Sequence, residues 1–118
     1  MGKSLRVIVI EDEMTIALLI EDMLIELGHE VVGTAMRLSQ ALELARTAAA
    51  DYAILDVNLD GRMSYPVADI LSDRGVPFAF ASGYGPTGLD ARFVDCPVLT
   101  KPFNSANLAE VLKLIAAN

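Results

Sequence analysis

Short apolar segments alternate with longer segments of helical period along the chain, and this alternation restricts the possible folds more than any other feature. Five segments are strand candidates because β-branched and apolar residues run together in them. They cover residues 5–10, 30–35, 52–55, 77–81 and 97–99. The first, third and fourth are almost wholly apolar, which is typical of parallel strands covered on both faces.

The intervening segments carry apolar residues at helical spacing. The first of them starts near Ile16 and stops at Gly28, a residue favoured just past a helix end. The others are predicted over residues 38–48, 66–72, 86–93 and 105–116. The 86–93 segment has room for about two turns, so a short and poorly formed helix is expected there. Asn104 or Ser105 is a suitable N-cap for the last helix.

Strands that alternate with helices predict an α/β fold with a doubly wound, five-stranded parallel sheet and helices on both faces. With 118 residues, the chain is close to the commonest domain size, so residues 1–118 are expected to form a single domain. In open sheets of this kind, ligands bind beyond the carboxyl ends of the strands, where the strand order reverses.

Composition excludes several classes of function. Sixteen Asp and Glu against nine Lys and Arg give a net charge of -7, the wrong sign for a surface that binds nucleic acid. A single cysteine, Cys96, excludes an internal disulfide, and a single histidine, His29, argues against most zinc sites and against Ser-His-Asp catalysis. No segment is typical of a signal peptide or a membrane span. We therefore expect a cytoplasmic protein without membrane association.

Polar residues follow the predicted strands at the point where each strand ends. Glu11 and Asp12 follow the first strand, Asp56 the third, Ser82 the fourth, and Lys101 the fifth. Because two carboxylates about 4 Å apart repel by roughly 4 kcal/mol at an effective dielectric constant near 20, such a cluster must take up a proton or bind a cation. Oxygen ligands without His or Cys favour Mg²⁺, with Mn²⁺ possible.

Each of these residues also has an ordinary structural explanation. A Glu-Asp pair before a helix is favourable with the helix dipole, and Ser82-Gly83 is typical of a turn. Lys101-Pro102 is typical of a solvated lysine before a rigid turn. Their joint placement at four strand ends is what favours a functional site, in which Lys101 offsets the charge of an arriving phosphoryl group.

These residues carry a family resemblance. Glu11-Asp12, Asp56 with Asn58, Ser82-Gly83 and Lys101-Pro102-Phe103 resemble, in order and spacing, the receiver domain of bacterial two-component response regulators. The resemblance covers essentially the whole chain. It implies the flavodoxin-like strand order 2-1-3-4-5 and one receiver domain over residues 1–118, without an output domain.

The resemblance implies a role for each matching residue. Asp56 would be the phosphoacceptor for a sensor histidine kinase, and Ser82 and Lys101 would bind the phosphoryl oxygens. The Lys101–Pro102 bond would be cis. The ligands of Mg²⁺ would be Glu11, Asp12, Asp56 and the backbone carbonyl of Asn58. The protein would then catalyse its own phosphorylation and dephosphorylation without being an ordinary enzyme.

Residues 80–85 read Phe-Ala-Ser-Gly-Tyr-Gly and resemble the Phe-Ala-Thr-Gly-Tyr-Gly signature of a subgroup of single-domain regulators. That subgroup implies a kinase of the HWE or HisKA2 type. Many receivers carry an aromatic switch residue on the fifth strand where this chain has Val98, so Ser82 and Tyr84 are the switch candidates. Signalling would pass to a downstream protein or a phosphotransfer protein, or the chain would serve as a phosphate sink.

Three alternatives differ in class. Residues 56–61 match the first half of an EF-hand loop, but Val67 stands where a bidentate Glu is needed. A flavin phosphate would be repelled by the acidic residues 11–13. The third alternative is a pseudo-receiver that serves as a docking module without phosphorylation, and it stays open at this stage.

Overall fold

A central parallel sheet organises the chain, of which the computed structural model describes residues 4–85 and 88–116. The strands are β1 (Arg6–Ile10), β2 (Glu30–Ala35), β3 (Tyr52–Asp56), β4 (Asn58–Leu59), β5 (Arg62–Met63), β6 (Phe78–Ser82) and β7 (Val98–Thr100). The helices are α1 (Met14–Glu26), α2 (Leu38–Thr47), α3 (Tyr65–Asp73) and α4 (Ser105–Ala116).

The main sheet has the order β2-β1-β3-β6-β7, and its neighbouring strands are parallel. Because β4 and β5 form a separate antiparallel hairpin, this is the predicted flavodoxin-like order 2-1-3-4-5. The predicted fold is thus confirmed. All five residues of β3 and of β6 are buried, which explains why their sequences read as continuous apolar runs.

Successive residues of a strand point to opposite faces of the sheet, and this builds two hydrophobic layers. Val7 and Val9 of β1 belong to the layer that contains Leu24 of α1 and Leu108 of α4. The other layer contains apolar residues of β1, α2 and α3, namely Ile8, Ile10, Ala41, Ala45, Val67, Ala68 and Leu71. The helices therefore cover both faces, as predicted.

The ends of two helices show why the sequence signals work. Gly28, just after α1, has a φ of 89°, a conformation that glycine adopts without steric cost. Before α4, the Asn107 N–H donates to Asn104 Oδ1 at 2.9 Å, and the Asn104 N–H donates to Asn107 Oδ1 at 3.0 Å. Asn104 is thus the residue that caps α4, in a reciprocal arrangement like a capping box.

The helix predicted over residues 86–93 is not formed as predicted. Pro86 and Thr87 lie outside the described residues, and the described part of this segment holds a 3₁₀ turn at Ala91–Phe93. Gly88 has a φ of 85°, which interrupts an α-helix, and Asp90 Oδ1 caps the short turn by accepting from the Arg92 N–H at 3.0 Å. A segment of this length, with Gly88 at positive φ, is too short to sustain α-helical turns.

The hairpin of β4 and β5 was not predicted. Asp60 and Gly61 form its two-residue turn with φ angles of 52° and 86°, values typical of the type I′ turn that Asp-Gly sequences favour. Leu59 is buried and anchors the hairpin to the hydrophobic layer beneath it. The Asp-Gly pair was a usable signal, but strands of two residues are too short to show a period.

Four aromatic rings connect the sheet to the segment after β6. Phe80 lies 5.5 Å from Phe78, 5.5 Å from Phe93 and 5.9 Å from Tyr65, measured between ring centroids in edge-to-face geometry. Tyr65 stacks on Phe93 at 5.4 Å, and its hydroxyl accepts from the Asp90 N–H at 2.9 Å. The 3₁₀ turn is thereby attached to the first turn of α3.

None of the described helices has the combination of length and apolar character that a bilayer span requires.

Candidate functional site

The carboxyl ends of β1, β3, β6 and β7 meet at one edge of the sheet. Hydrogen bonds of the sheet type continue beyond the strands and fix the residues that follow. The Glu11 N–H donates to the Ala35 carbonyl at 3.0 Å, and the Lys101 N–H donates to the Ser82 carbonyl at 2.9 Å. The hydrogen bonding of the sheet therefore extends to the backbone of Glu11 and Lys101.

Three carboxylates and one ammonium form a cluster at this edge. Glu11 is 1% exposed, Asp56 is buried, Asp12 is half-buried, and one oxygen from each lies within 4.8 Å of the others. Lys101 Nζ donates to Glu11 Oε1 at 2.7 Å and to Asp56 Oδ2 at 3.0 Å. The structure thus brings together four of the residues that the sequence singled out.

Burial and the crowding of negative charge shift the pKa values of the cluster. Burial raises the pKa of Glu11 to about 8, the neighbouring Asp56 and Asp12 add to the shift, and Lys101 opposes it. Burial opposes the charged form of Asp12, but hydrogen bonds with Glu11 and the Asp60 amide outweigh it and lower the Asp12 pKa. Burial likewise opposes the charge on Lys101, whose pKa is nevertheless raised by hydrogen bonds to Glu11 and Asp56.

The donor set fits a hard divalent cation. Within the described residues, one ammonium and, below about pH 8, a proton held at Glu11 offset only part of the charge of the three carboxylates. A divalent ion would supply the missing charge, and carboxylate oxygens are ligands that Mg²⁺ favours. Asn58 lies beside the cluster, where its N–H donates to Asp56 Oδ1 at 3.3 Å. The Asn58 carbonyl as a further ligand stays a prediction.

Mg²⁺ binding is expected to strengthen as the pH rises towards 8. Because the pKa of Glu11 is raised to about 8, a cation that binds Glu11 must displace its proton below that pH, and this competition disappears above it. The affinity should therefore rise up to about tenfold per pH unit below 8 and level off above it. Titration calorimetry in two buffers of different ionisation enthalpy measures the released proton, and an affinity independent of pH would contradict the prediction.

A cleft opens beside Asp56. It has a volume of about 340 Å³, and its lining residues include Asp56, Asn58, Met63, Ser82, Tyr84 and Leu89. Ser82 is buried, and its Oγ accepts from the Tyr84 N–H at 3.0 Å. The side chain of Tyr84 lies at the mouth of the cleft and is 83% exposed. The cleft is large enough for a phosphoryl group, and both Asp56 and Ser82 line it.

The Lys101–Pro102 peptide bond is cis. Val98, which occupies the position where many receivers carry an aromatic switch residue, pairs with Phe80 in the sheet register.

Two contacts at or near the site were not predicted from the sequence. They are the hydrogen bond from the Asp60 N–H to Asp12 Oδ2 and the attachment of Asp90 to Tyr65.

The fold, the acidic cluster at the ends of β1 and β3, and the lysine after β7 define a receiver domain. The chain belongs to the response regulator receiver domain family, which matches residues 7–113.

Among individual proteins, the chain is 33% identical over 113 residues to the transcriptional regulatory protein PdtaR of Mycobacterium tuberculosis, covering 92% of this chain and 55% of PdtaR. It is 33% identical over 110 residues to the phyllosphere-induced regulator PhyR of Methylorubrum extorquens, covering 90% of this chain and 41% of PhyR. The chain thus spans about half the length of the curated relatives it matches.

Among solved structures, SdrG from Sphingomonas melonis Fr1 is 40% identical, with a TM-score of 0.87 and coverage of 98% of this chain and 99% of that chain. The BeF3-activated conformation of SdrG gives a TM-score of 0.80, with coverage of 95% of this chain and 97% of that chain.

Proposed function

We propose that the protein is a response regulator that accepts a phosphoryl group on Asp56 from the phosphohistidine of a sensor histidine kinase in a Mg²⁺-dependent reaction. The observation that carries this proposal is the position of Asp56 at the end of the buried strand β3, beside Lys101, two further carboxylates and an open cleft. A carboxylate is a competent nucleophile for forming a covalent phosphoryl intermediate.

In the proposed reaction, a carboxylate oxygen of Asp56 attacks phosphorus, the P–N bond of the phosphohistidine breaks, and the imidazole leaves. Phosphoryl transfer depends mainly on positioning and charge neutralisation. Mg²⁺, when bound by Glu11, Asp12 and Asp56, would neutralise charge on the phosphoryl oxygens. Lys101 Nζ, which already donates to Asp56 Oδ2, would move its hydrogen bond to a phosphoryl oxygen. The Ser82 hydroxyl would donate to another.

Incubation with Mg²⁺ and acetyl phosphate is expected to add one phosphoryl group, measured as the intact mass under acidic conditions that preserve the acyl phosphate. Asp56→Ala should show no gain, while Asp51→Ala, just before the opposite end of β3, serves as the matched control and should be phosphorylated. If the unaltered protein gains no mass with acetyl phosphate or with a histidine kinase, the pseudo-receiver alternative replaces this proposal.

Output is proposed to pass through the segment after Ser82. Two new charge-assisted hydrogen bonds, from Ser82 and Lys101 to the phosphoryl group, would contribute roughly 1.5–3 kcal/mol each. Moving a conformational equilibrium from 1:99 to 99:1 takes about 5.5 kcal/mol. Since Lys101 exchanges existing bonds to carboxylates for new ones, Ser82 must supply much of the differential energy. If the Ser82 side chain rotates to donate to a phosphoryl oxygen, Oγ moves away from the Tyr84 N–H, which now donates to it.

Tyr84→Ala is expected to reduce the conformational response to phosphorylation, because the exposed ring of Tyr84 is free to find a new contact when its amide is released. The measurement is the set of amide chemical-shift changes at residues 83–97 when Mg²⁺ and beryllium fluoride are added. Val94→Ala, which also alters an exposed apolar side chain, is the control. A full response in Tyr84→Ala would refute this role for Tyr84.

The protein partners that we propose are inferred from the proposed phosphoryl donor, a sensor histidine kinase. Residues 80–85 support a kinase of the HWE or HisKA2 type, and the exchange is proposed to take place in the cytoplasm, where kinases consume ATP. We propose that the receiver domain contacts a downstream protein or a phosphotransfer protein, or drains phosphoryl groups from the kinase.

A further inference from the structure

Asp12, one of the candidate metal ligands, accepts a hydrogen bond from the turn of the β4–β5 hairpin. No side chain of this hairpin was predicted to bind the metal. The Asp60 N–H donates to Asp12 Oδ2 at 3.0 Å and so links the hairpin turn to the loop before α1, 48 residues away in sequence. Asp12 is half-buried on a loop, where an aspartate side chain otherwise samples several rotamers.

The hairpin that supplies this donor is itself well anchored. Asn58 Oδ1 accepts from the Gly61 N–H at 2.7 Å across the turn, and Leu59 is 2% exposed in the hydrophobic layer. At the base, the Ser64 N–H donates to the Val57 carbonyl at 2.8 Å and closes the loop. These contacts fix the position of the Asp60 amide relative to the sheet.

The amide that binds Asp12 belongs to a residue with positive φ in the type I′ turn. Asp60 has a φ of 52°. Among the non-glycine residues within 4–85 and 88–116, it alone has a positive φ. The side chain of Asp60 is exposed, and the contact to Asp12 uses its backbone alone. The hydrogen bond therefore depends on the turn conformation more than on the identity of residue 60.

We propose that the Asp60-Gly61 turn is a positioning element for Mg²⁺ binding, which holds the Asp12 carboxylate in the orientation that the cation requires. This inference rests on the proposed function, since it concerns the same cation site. Mg²⁺ demands nearly ideal octahedral geometry, so a carboxylate that is already oriented binds it at lower entropic cost. Loss of hydrogen bonds that orient metal ligands typically weakens metal binding about 10–100-fold.

The test measures the dissociation constant for Mg²⁺ of the full chain by titration calorimetry, at about pH 8. Asp60→Pro removes the N–H and locks φ near about -65°, so at least about tenfold weaker binding is expected. Asp60→Asn keeps the N–H and removes the carboxylate, and its loss of affinity should be much smaller. Equal losses in the two variants would assign the effect to the Asp60 side chain and overturn the proposal.

A matched pair of glycine variants gives a test that does not depend on the proline. Gly61 and Gly75 have φ angles of 86° and 72°, and an added Cβ meets no atom within 4 Å at either. Gly61→Ala and Gly75→Ala thus carry a similar backbone strain, but only Gly61 lies in the turn. Gly61→Ala should weaken Mg²⁺ binding about two- to fivefold and shift the Asp60 amide resonance. Equal affinities in the two variants would overturn the proposal.

The outcomes separate this inference from the proposed function. If the unaltered protein is phosphorylated and binds Mg²⁺, but Asp60→Pro folds and binds Mg²⁺ equally well, the positioning role is wrong and the phosphoacceptor function stands. If the unaltered protein binds no Mg²⁺ at millimolar concentration, the proposed function is wrong and the positioning role with it. Thermal unfolding of each variant confirms that affinities are compared between folded proteins.

Discussion

Lys101→Met is expected to lower the free energy of unfolding by about 3 kcal/mol at about pH 9 without Mg²⁺. Removal of one partner from a buried ion pair typically costs about 3–5 kcal/mol, and the 21% exposure of the Lys101 side chain places this one at the lower end. The ammonium is the group that compensates Glu11 and Asp56, whose side chains are 1% and 9% exposed. Methionine keeps most of the apolar stem and removes the charge.

The destabilisation in Lys101→Met should depend on pH and on Mg²⁺. Because the pKa of Glu11 is raised to about 8 in the folded protein, Glu11 takes up a proton as the pH falls, and the repulsion that Lys101 relieves becomes smaller. The loss should therefore shrink from pH 9 towards pH 6. Mg²⁺ should restore part of the stability, since it supplies positive charge to the same carboxylates. Urea unfolding at several pH values, with and without Mg²⁺, measures both effects.

Lys113→Met is the matched control. Lys113 is 76% exposed and lies 3.7 Å from Glu110 on the surface of α4, so its removal should change the stability by at most about 0.5 kcal/mol. A loss in Lys101→Met no larger than that in Lys113→Met would mean that the cluster does not need the ammonium.

Phe80→Ala is expected to destabilise the protein by about 3–5 kcal/mol, the largest effect of a single apolar substitution that we predict. Phe80 is fully buried in β6, and its ring contacts those of Tyr65, Phe78 and Phe93. Truncation leaves a cavity that the sheet and α3 cannot fill. Since small domains have a total stability of about 5–15 kcal/mol, the variant should lose a large fraction of its free energy of unfolding.

Chemical unfolding of Phe80→Ala and Phe80→Leu separates the cavity from the loss of aromatic contacts. Leucine leaves a smaller cavity, so a loss well below that of alanine is expected. A loss under about 1 kcal/mol in Phe80→Ala would show that the aromatic rings repack freely and do not hold the 3₁₀ turn in place.

The regular part of the fold was predictable because burial leaves a periodic trace in the sequence. The central strands β1, β3 and β6 were predicted to within one residue at each end, since strands covered on both faces read as continuous apolar runs. The hairpin was missed because two-residue strands show no period. The helix predicted over residues 86–93 was wrong because tertiary contacts with aromatic rings, and not helical propensity, determine the conformation around Phe93. Such contacts leave no periodic pattern in the sequence.

Topology explains how much of the candidate site could be predicted. Once the strands are known to be parallel, Glu11, Asp56 and Lys101 must lie at one edge of the sheet, and they do. The hydrogen bond from the Asp60 N–H to Asp12 was not predictable, because it joins two loops whose relative position depends on the packed structure. Neither was the attachment of Asp90 to Tyr65, in which a side chain of one helix binds the backbone of a distant loop.

The strand order also determines which parts of the molecule resist local unfolding. Asp56 ends β3, which lies between β1 and β6 and whose five residues are buried, so its amides should exchange with solvent only through near-global opening. The segment after Ser82 leads instead to the three-residue edge strand β7. Phosphorylation of Asp56, as proposed, would thus occur at the most slowly exchanging part of the sheet, next to a strand pair that ends at the sheet edge.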